Sequence, residues 1–500
     1  MAPAPPLTDP RLHPGSRTRP VAGDYVLYWI QSTMRATNNP ALNYAAQAAN
    51  QLGRPLVVYQ GLRPDYPWSS DRFHTFILES AADMAADFAG RGIPYGFYLE
   101  PRRRVNGEPR PPSPLEALAR HAALVVTDYF PTFIIPRQTR RLREKVDAPV
   151  IAVDSCTIVP MSYISRAHPT ARGFRTEALA ALPHFLHPVG DVEPRVTSSF
   201  EFPFKSAVSA AGDFDAAALA ASCDIDHTVR PSPTIRGGQR AAQQRLEAFL
   251  ATGLRRYDED RGDPNHPEAV SGLSPYLHFG NISPQEVLLG AREVAPPDQY
   301  ARFQDELLVW RELAHNFCHH DPGHRTLDAV PAWARKELDN HADDPRPALY
   351  SMEELERGET ESALWNAAQR CYVRDGTMPN YLRMLWGKAI LHWSPDAGTA
   401  LRTMEHLNNK YALDGRDPNS YAGFHWILGK FDRPFYRRPV FGTVRYMSLK
   451  AAEKKFDVKR WLASEATREA AFALSPPAQP APRAAGRAPP KASAGRSRRR

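Results

Sequence analysis

Cysteine is scarce in this chain, with four among 500 residues. Cys156, Cys223, Cys318 and Cys371 lie far apart in sequence and form no Cys-x-x-Cys pair. This spacing argues against both a disulfide framework and a zinc cluster, because each needs paired or grouped thiols. We therefore predict four buried or incidental thiols and no metal site.

Long apolar runs are also missing. No uninterrupted apolar stretch reaches the roughly 18 residues of a membrane span, and no apolar segment follows a charged start. We expect a soluble, cytoplasmic protein with no membrane partner, working as a monomer. The sequence has no internal repeat, and its length exceeds that of a usual single domain, so we predict two domains.

Acidic residues are absent from the last 26 positions, which carry seven basic ones. Of the net charge of +8, this tail accounts for seven and the first 20 residues for two, which leaves about −1 for residues 21–474. Within that nearly neutral body, residues 430–460 hold ten basic residues against three acidic ones. Either a polyanion-binding surface or a solvated helix face explains this local excess.

Short apolar runs alternate with helical patterns in the first third of the chain. The runs cover residues 25–30, 55–59, 95–99, 124–127 and 150–153. Strands that alternate with helices indicate an α/β fold, with a parallel sheet and helical crossovers. Beyond residue 240 the pattern is almost entirely helical and predicts a second, all-α domain.

Composition sets the expected boundaries between these parts. We predict a disordered leader over residues 1–20, an α/β domain over 21–160 and a connector over 161–240. A helical catalytic domain should follow over residues 241–474, and a disordered basic tail over 475–500.

Three tryptophans fall in the helical part. Trp386 and Trp393 are seven residues apart, so they share one face of a helix and are separated by about 10 Å along its axis. Trp365 lies on the preceding helical segment. Large aromatic residues at this spacing are usually core packing, but they would also serve as an electron relay.

Four motifs resemble those of the photolyase/cryptochrome superfamily, most closely the class II cyclobutane pyrimidine dimer photolyases. One is the tryptophan set. The others read Ser271-Gly-Leu-Ser-Pro-Tyr-Leu-His-Phe-Gly280, Trp310-Arg-Glu-Leu-Ala-His-Asn-Phe-Cys318, and Leu407-Asn-Asn-Lys-Tyr-Ala-Leu-Asp-Gly-Arg-Asp-Pro-Asn419 with Trp426. The similarity is close over residues 257–461 and weaker over residues 24–160.

The resemblance implies FAD as the cofactor and names the residues that hold it. The segment before the helix at Ser274 would cradle the pyrophosphate, through Tyr257, Ser271, Gly272, Leu273 and Ser274. Further contacts to FAD would come from Asn316, Asn408, Asp414 and Asp417, with Asn408 facing the flavin N5 atom. An antenna chromophore is also compatible with the family, and its identity stays open.

The resemblance also assigns catalytic roles. Glu312 would bind the damaged base, and electrons would pass along Trp393, Trp365 and Trp386, with Trp386 nearest the flavin and Trp393 nearest solvent. Met384 and Trp426 would contact the dimer. Arg445 would fill the gap that the dimer leaves in the duplex.

The function implied is light-driven splitting of pyrimidine dimers in UV-damaged DNA by reduced FAD, with the enzyme at the nucleoid when bound. A cryptochrome-like receptor without repair activity and a six-four photoproduct photolyase are the alternatives within the superfamily. A basic nucleic-acid-binding protein without a cofactor is the non-enzymatic one. Departures from the family pattern indicate a divergent branch, at His315, Pro379, Leu385, Ala389 and His392.

Overall fold

The N-terminal part is a six-stranded sheet with helices between its strands. The computed structural model describes residues 7–100, 102, 113–210 and 214–474. The strands are β1 (Leu12–His13), β2 (Tyr25–Ile30), β3 (Leu56–Leu62), β4 (Tyr95–Leu99), β5 (Ala122–Asp128) and β6 (Val150–Val153), in the order β1-β6-β5-β2-β3-β4. All neighbouring strands are parallel except β1 and β6.

Helices cross between the parallel strands, as the alternating pattern predicts. They are α1 (Pro40–Leu52), α2 (Asp71–Gly90), α3 (Pro114–His121) and α4 (Ile135–Lys145). The central strand β2 is buried along its whole length because its alternate side chains enter two different cores. Val26, Tyr28 and Ile30 face one core, and the residues between them face the other.

The predicted disordered leader is wrong for residues 12 and 13. They form the edge strand β1, which pairs antiparallel with β6. The buried guanidinium of Arg11 fixes this edge by donating to the carbonyl oxygens of Asp154, Thr157 and Ile158 at 2.8–3.1 Å. A strand of two residues carries too little alternation to be read from sequence, and its position is set by these distant partners.

The predicted connector contains the helices α5 (Ala171–Phe185) and α6 (Ala216–Ala221). The helical part follows with α7 (Gln239–Ala251), α8 (Tyr257–Asp260), α9 (Ser274–His278), α10 (Pro284–Val294), α11 (Pro297–Gln304), α12 (Arg311–His320), α13 (Ala332–Asn340), α14 (Met352–Arg357), α15 (Ala363–Asp375), α16 (Asn380–Trp393), α17 (Ala397–Tyr411), α18 (Pro418–Ile427) and α19 (Val458–Leu474). A π-helical segment, Asp305–Trp310, precedes α12. The predicted disordered tail lies outside the described residues. Among those that are described, no helix is long and apolar enough to cross a bilayer.

Arg72 ties the sheet region to the helical region. Its buried guanidinium, on α2, donates to carbonyl oxygens in the last turns of α15 and α17. The acceptors are Tyr372, Val373, Arg374 and Tyr411, at 2.6–3.1 Å. The Tyr372 carbonyl also accepts the capping N–H of Gly376, at 3.0 Å. The other three carbonyl groups lie in the last turn of a helix, where the arginine supplies a donor from across the boundary between the two regions.

Candidate active site

The three tryptophans form one continuous stack in the helical core. Helix α15 supplies Trp365, and α16 supplies Trp386 and Trp393. The rings of Trp365 and Trp386 are parallel, with centroids 6.4 Å apart, and those of Trp365 and Trp393 meet edge to face at 5.6 Å. The geometry therefore permits electron transfer in the order Trp393, Trp365, Trp386.

Trp393, predicted to lie nearest solvent, is the most exposed of the three tryptophans, although it is itself buried. Its exposed fraction is 4%, against 2% for Trp386 and 1% for Trp365. The half-buried ring of Tyr350 packs against Trp393 at 5.2 Å, edge to face. Tyr350, which the sequence motifs did not single out, is therefore a more exposed aromatic neighbour of the relay.

A polar cluster adjoins the inner end of the stack. Arg383, on α16, donates to both carboxylate oxygens of Asp414, at 2.9 and 3.0 Å, and to the Asn408 amide oxygen at 2.6 Å. The Tyr372 hydroxyl donates to the same amide oxygen at 3.1 Å, and its ring lies 5.8 Å from that of Trp386. The predicted residues Asn408 and Asp414 are thus brought together beside the relay.

Charge in this cluster is held by pairing. Burial opposes ionisation of Arg383, but the Asp414 carboxylate outweighs it and raises the arginine pKa. The Arg383 side chain is 27% exposed, and the neighbouring Met384 is also half-buried, whereas Leu382 and Leu385 are enclosed. One face of α16 is therefore partly exposed, and it carries the Arg383–Asp414 ion pair. The half-buried Arg383 guanidinium and Asp414 carboxylate offer a donor and an acceptor of the kind that the edge of an isoalloxazine ring needs, so these two residues fit a flavin. The Asn408 amide is fully buried, and its nitrogen donates to Asn409 and Ser420, so it would meet a flavin only by exchanging one of its present bonds.

A cationic and aromatic rim surrounds Trp426, near the end of α18. The Arg445 guanidinium lies 5.6 Å from the Trp426 ring and 5.4 Å from that of Phe435. The buried ammonium of Lys388 lies 5.0 Å from the Trp426 ring and donates to the Ile427 carbonyl oxygen at 2.8 Å. Burial lowers the pKa of Lys388 to about 7. Sequence reasoning predicted Trp426 and Arg445 here but missed Lys388, because its contacts join two distant helices.

Comparison with known proteins shows the family of the chain. The family model for DNA photolyase matches residues 26–193. A deoxyribodipyrimidine photo-lyase from Methanothermobacter thermautotrophicus is 34% identical over 441 residues, which cover 88% of this chain and 94% of that protein. The chain belongs to the DNA photolyase family.

Solved photolyase structures share the fold. A class III photolyase from Agrobacterium tumefaciens superposes with a TM-score of 0.65 at 19% identity, over 89% of this chain and 88% of that one. An archaeal photolyase from Sulfolobus tokodaii, described with two FAD molecules, gives 0.61 at 18% identity, over 88% of this chain and 89% of that one. Both parts of the predicted fold class, the α/β sheet and the helical region, are confirmed.

The predicted pyrophosphate segment lies in an exposed turn before the short helix α9. Gly272 adopts φ +63°, and the Arg245 guanidinium holds the turn by donating to the carbonyl oxygens of Val270 and Ser271. Gly272 and Ser274 are exposed, whereas Leu273 is buried. Tyr257 is enclosed between Phe249 and Phe303. The role of this segment as a phosphate cradle stays a prediction for the photolyase.

Both carboxylate oxygens of Asp417 already have partners within the protein. One of its oxygens caps α18 by accepting from the main-chain N–H of Asn419 at 2.9 Å, and the other contacts His278 Nδ1 at 3.0 Å. Burial alone would raise the pKa of this carboxyl, but the bond to His278 and the surrounding positive charge hold the pKa far below its usual range. Its predicted contact with FAD stays a prediction.

Glu312 does not lie where the predicted contact with a damaged base requires. Its carboxylate is fully enclosed and accepts main-chain N–H groups from Ile158 and, at 3.2 Å, from Val159. Burial raises the Glu312 pKa to about 8, against the effect of these bonds. Asn316, one turn later, likewise bonds to the main chain of Arg166 and His168, at 3.0 Å each. In this geometry both side chains fasten α12 to the segment that follows β6.

A second carboxylate, which the sequence motifs did not single out, is less enclosed than Glu312. Glu306 lies in the π-helical segment, pairs with Arg261 at 2.9 Å and with Arg302 at 2.8 Å, and is half-buried. Arg261 lies 5.5 Å from the ring of the predicted Tyr257, and Trp310, at the end of the same segment, is 37% exposed. Six residues separate Glu306 from Glu312, so the two point to different sides of the helix. A π-helical turn has no sequence signature, and such turns often mark functional sites.

The sheet region contains a cavity that the sequence analysis did not predict. A cleft of about 580 Å³ opens beside β2 and β3 in the sheet region, with Tyr66, Phe130 and Phe133 among its lining residues. Four buried polar atoms of its lining have no hydrogen-bond partner among the described residues, namely Gln31 Oε1, Ser32 Oγ, Arg63 Nε and Arg416 Nη2. Arg416 reaches this cleft from the turn that carries Asp414 and Asp417. The cleft could not be predicted from the sequence, because its lining residues come from distant parts of the chain and meet only in the folded structure.

Proposed function

We propose that the protein repairs UV-damaged DNA by splitting cyclobutane pyrimidine dimers in a light-driven reaction. The observation that carries the proposal is the enclosed tryptophan stack, which ends beside the Arg383–Asn408–Asp414 cluster. The deoxyribodipyrimidine photo-lyase that is 34% identical over most of both chains supports the same reaction. Bound FAD, when reduced and excited by light, supplies one electron for ring opening and recovers it afterwards.

The chain's own residues would hold and tune that cofactor. Arg383 and Asn408 would face the flavin edge, and the paired Asp414 keeps Arg383 charged where negative charge arises on reduction. The exposed turn at Ser271, Gly272 and Ser274 suits a pyrophosphate because it offers hydroxyl groups and free main-chain N–H groups. Tyr257, Leu273, Asn316 and Asp417 would shape this cofactor site.

The substrate pocket would receive a dimer that has left the base stack. Photolyases are among the enzymes that extrude a nucleotide from the duplex, and such enzymes recover the cost of unstacking in a close pocket with aromatic walls. Met384, on the open face of α16, and Trp426 would form those walls, and Arg445 would occupy the gap in the duplex. We assign the substrate-facing carboxylate to Glu306 in place of Glu312, because Glu306 is half-buried and paired only with arginines.

The sheet cleft would hold an antenna chromophore. Its aromatic walls suit a planar ring system, and its unpartnered polar atoms would meet the hydrogen-bonding groups of such a ring. The Sulfolobus tokodaii photolyase, described with two FAD molecules and the implication of a novel light-harvesting cofactor, supports this use. Light absorbed there would reach the cofactor in the helical region.

Each predicted domain has a task in this proposal. Residues 21–160 would house the antenna and residues 241–474 the flavin and the damaged DNA. The enzyme would act as a monomer in the cytoplasm, at the nucleoid. Of the class II features inferred from sequence, the relay order and the Asn408 position are those that this geometry supports best.

The test combines colour with repair. The purified protein should show flavin absorbance, and after chemical reduction it should restore thymines in a dimer-containing oligonucleotide under blue light but not in the dark. A flavin-bound protein that restores none would instead favour the cryptochrome-like receptor. Restoration of six-four photoproducts alone would favour the other repair class, and a colourless protein the cofactor-free alternative.

A further inference from the structure

The inner tryptophan of the relay has a dedicated hydrogen-bond acceptor. The Trp386 indole N–H donates to Gln369 Oε1 at 2.9 Å, and both side chains are buried. Gln369 lies on α15, one turn after Trp365, so a single helix carries both the stacking partner of Trp386 and its acceptor. None of the family motifs described above includes this glutamine.

The orientation of the Gln369 amide is fixed from both ends. Its Nε2 group donates to the Glu356 carbonyl oxygen of α14 at 3.2 Å. A carbonyl oxygen can only accept and an indole N–H can only donate, so the amide cannot be turned over without losing both bonds. The acceptor presented to Trp386 is therefore always a neutral amide oxygen.

A neutral acceptor has a particular effect on an oxidised indole. Removal of an electron makes the ring cationic, and a hydrogen bond from a charged donor is roughly twice as strong as one between neutral groups. The amide oxygen thus stabilises the oxidised ring, yet it is far too weak a base to remove the proton. Trp365 is in the same position, because its indole N–H donates to the main-chain oxygen of Trp386 at 3.1 Å.

We propose that Gln369 is a positioning residue of the relay, which holds the Trp386 ring in place and stabilises its oxidised form without taking its proton. This inference rests on the proposed function. One electron leaves Trp386 for the light-excited oxidised flavin, and the indole N–H bond stays intact. Trp365 then returns an electron to Trp386, Trp393 returns one to Trp365, and an external thiol supplies the last.

Three variants of the flavin-loaded protein test the inference. Gln369→Leu keeps the volume but removes the acceptor, and we expect the yield of flavin photoreduction to fall by about tenfold. Gln369→Glu should keep the yield within about twofold, because a buried carboxyl stays neutral and can make both bonds. Gln285→Leu alters another buried glutamine, on α10, and should leave the yield unchanged.

Two spectroscopic readouts separate this role from a merely structural one. In transient absorption, the first tryptophan radical of the wild type should have the cation spectrum, and its lifetime should shorten in Gln369→Leu. With ¹⁵N-labelled tryptophan, the indole N–H resonance of Trp386, assigned with a Trp386→Phe sample, should move in Gln369→Leu and stay in Gln285→Leu. A deprotonated first radical in the wild type, or equal yields in both leucine variants, would overturn the inference.

Failure of the proposed function would look different. Chemically reduced Gln369→Leu should split dimers as well as the wild type does, since repair does not draw on the relay. A chain that binds no flavin, or reduced protein that splits no dimers, counts against the proposed function itself. If the wild type and Gln369→Leu both repair dimers normally, and Gln369→Leu has no effect on photoreduction, the result counts against the inference alone.

Discussion

The tryptophan relay and the sheet cleft differ in whether their buried polar groups have hydrogen-bond partners. Around the relay, the indole N–H groups of Trp365 and Trp386 both have acceptors, and the rings are enclosed. Around the sheet cleft, Gln31, Ser32 and Arg416 present buried polar atoms without partners among the described residues. Satisfied hydrogen-bonding groups suit residues that only transfer electrons. Unsatisfied buried donors and acceptors suit a site where a bound ligand supplies the missing partners.

The two regions nevertheless act on each other through a few residues. Arg416 belongs to the turn of Asp414 and Asp417, yet its guanidinium lies 3.6 Å from the Phe73 ring of α2 and lines the cleft. Its main-chain N–H donates to the Asn409 side chain at 2.7 Å. A substitution in the cleft or in the turn could therefore alter the other region through Arg416. Variants that test the two regions separately must leave Arg416 and its contacts unchanged.

The largest expected effect comes from breaking the tie between the regions. Arg72→Met would remove the arginine donor from the carbonyl groups of Val373, Arg374 and Tyr411, in the last turns of α15 and α17. We expect a loss of about 3–5 kcal/mol in the free energy of unfolding, measured by urea denaturation. Arg236→Met is the control, because Arg236 makes an exposed ion pair with Glu79 and should cost less than about 1 kcal/mol. Equal losses in both variants would contradict the assigned role of Arg72.

Removing the inner ring of the relay tests the helical side alone. Trp386→Phe should reduce photoreduction of oxidised flavin by about a hundredfold or more, which corresponds to roughly 2.7 kcal/mol. Repair by the chemically reduced variant should stay close to that of the wild type. Trp461→Phe, in a buried tryptophan of α19, provides the matched control. Parallel loss of photoreduction and repair in Trp386→Phe would remove the distinction between relay and repair.

Acid should destabilise the contact between α12 and the sheet region. Burial lowers the pKa of His315 to about 4, and its ring packs edge to face on Phe130. Between about pH 6.5 and about pH 4 the unfolded chain therefore binds one more proton at this residue than the folded chain does, so stability falls as the pH drops. Full protonation would cost up to about 3 kcal/mol.

His315→Leu should make the free energy of unfolding less dependent on pH, by the contribution of one proton. The denaturation midpoint of the wild type should fall more steeply with acid, and the two curves should converge in slope above about pH 7. His425, which is also buried with a pKa lowered to about 4, would keep part of the acid sensitivity. An unchanged slope in His315→Leu would show that this histidine is not neutral in the folded protein.

The smallest effect is expected from the cleft. Leu115→Trp places bulk in its wall, at a half-buried position of α3. The absorbance of any second chromophore should be lost, and repair per photon absorbed by the flavin should change by less than about twofold. Loss of flavin absorbance in this variant would mean that the cleft and the helical site are not separate.

Patterns of local origin could be predicted from the sequence. The strands at residues 25–30, 95–99 and 150–153 have the predicted bounds, because a short apolar run fixes each of them within one segment. The contact among Trp365, Trp386 and Trp393 also followed from shared motifs. What escaped prediction depends on distant partners: strand β1 needs β6, the direction of Glu312 depends on the segment at Ile158, and the cleft depends on the arrangement of the whole sheet.

The central claim is that the helical region holds a flavin that splits dimers while the tryptophans only keep it reduced. The most direct measurement is the number of thymines restored per absorbed blue photon by chemically reduced wild type and Trp386→Phe, each with a dimer-containing oligonucleotide. We predict equal, light-dependent yields in the two proteins. A flavin-bound, fully reduced wild type that restores no thymines would contradict the claim.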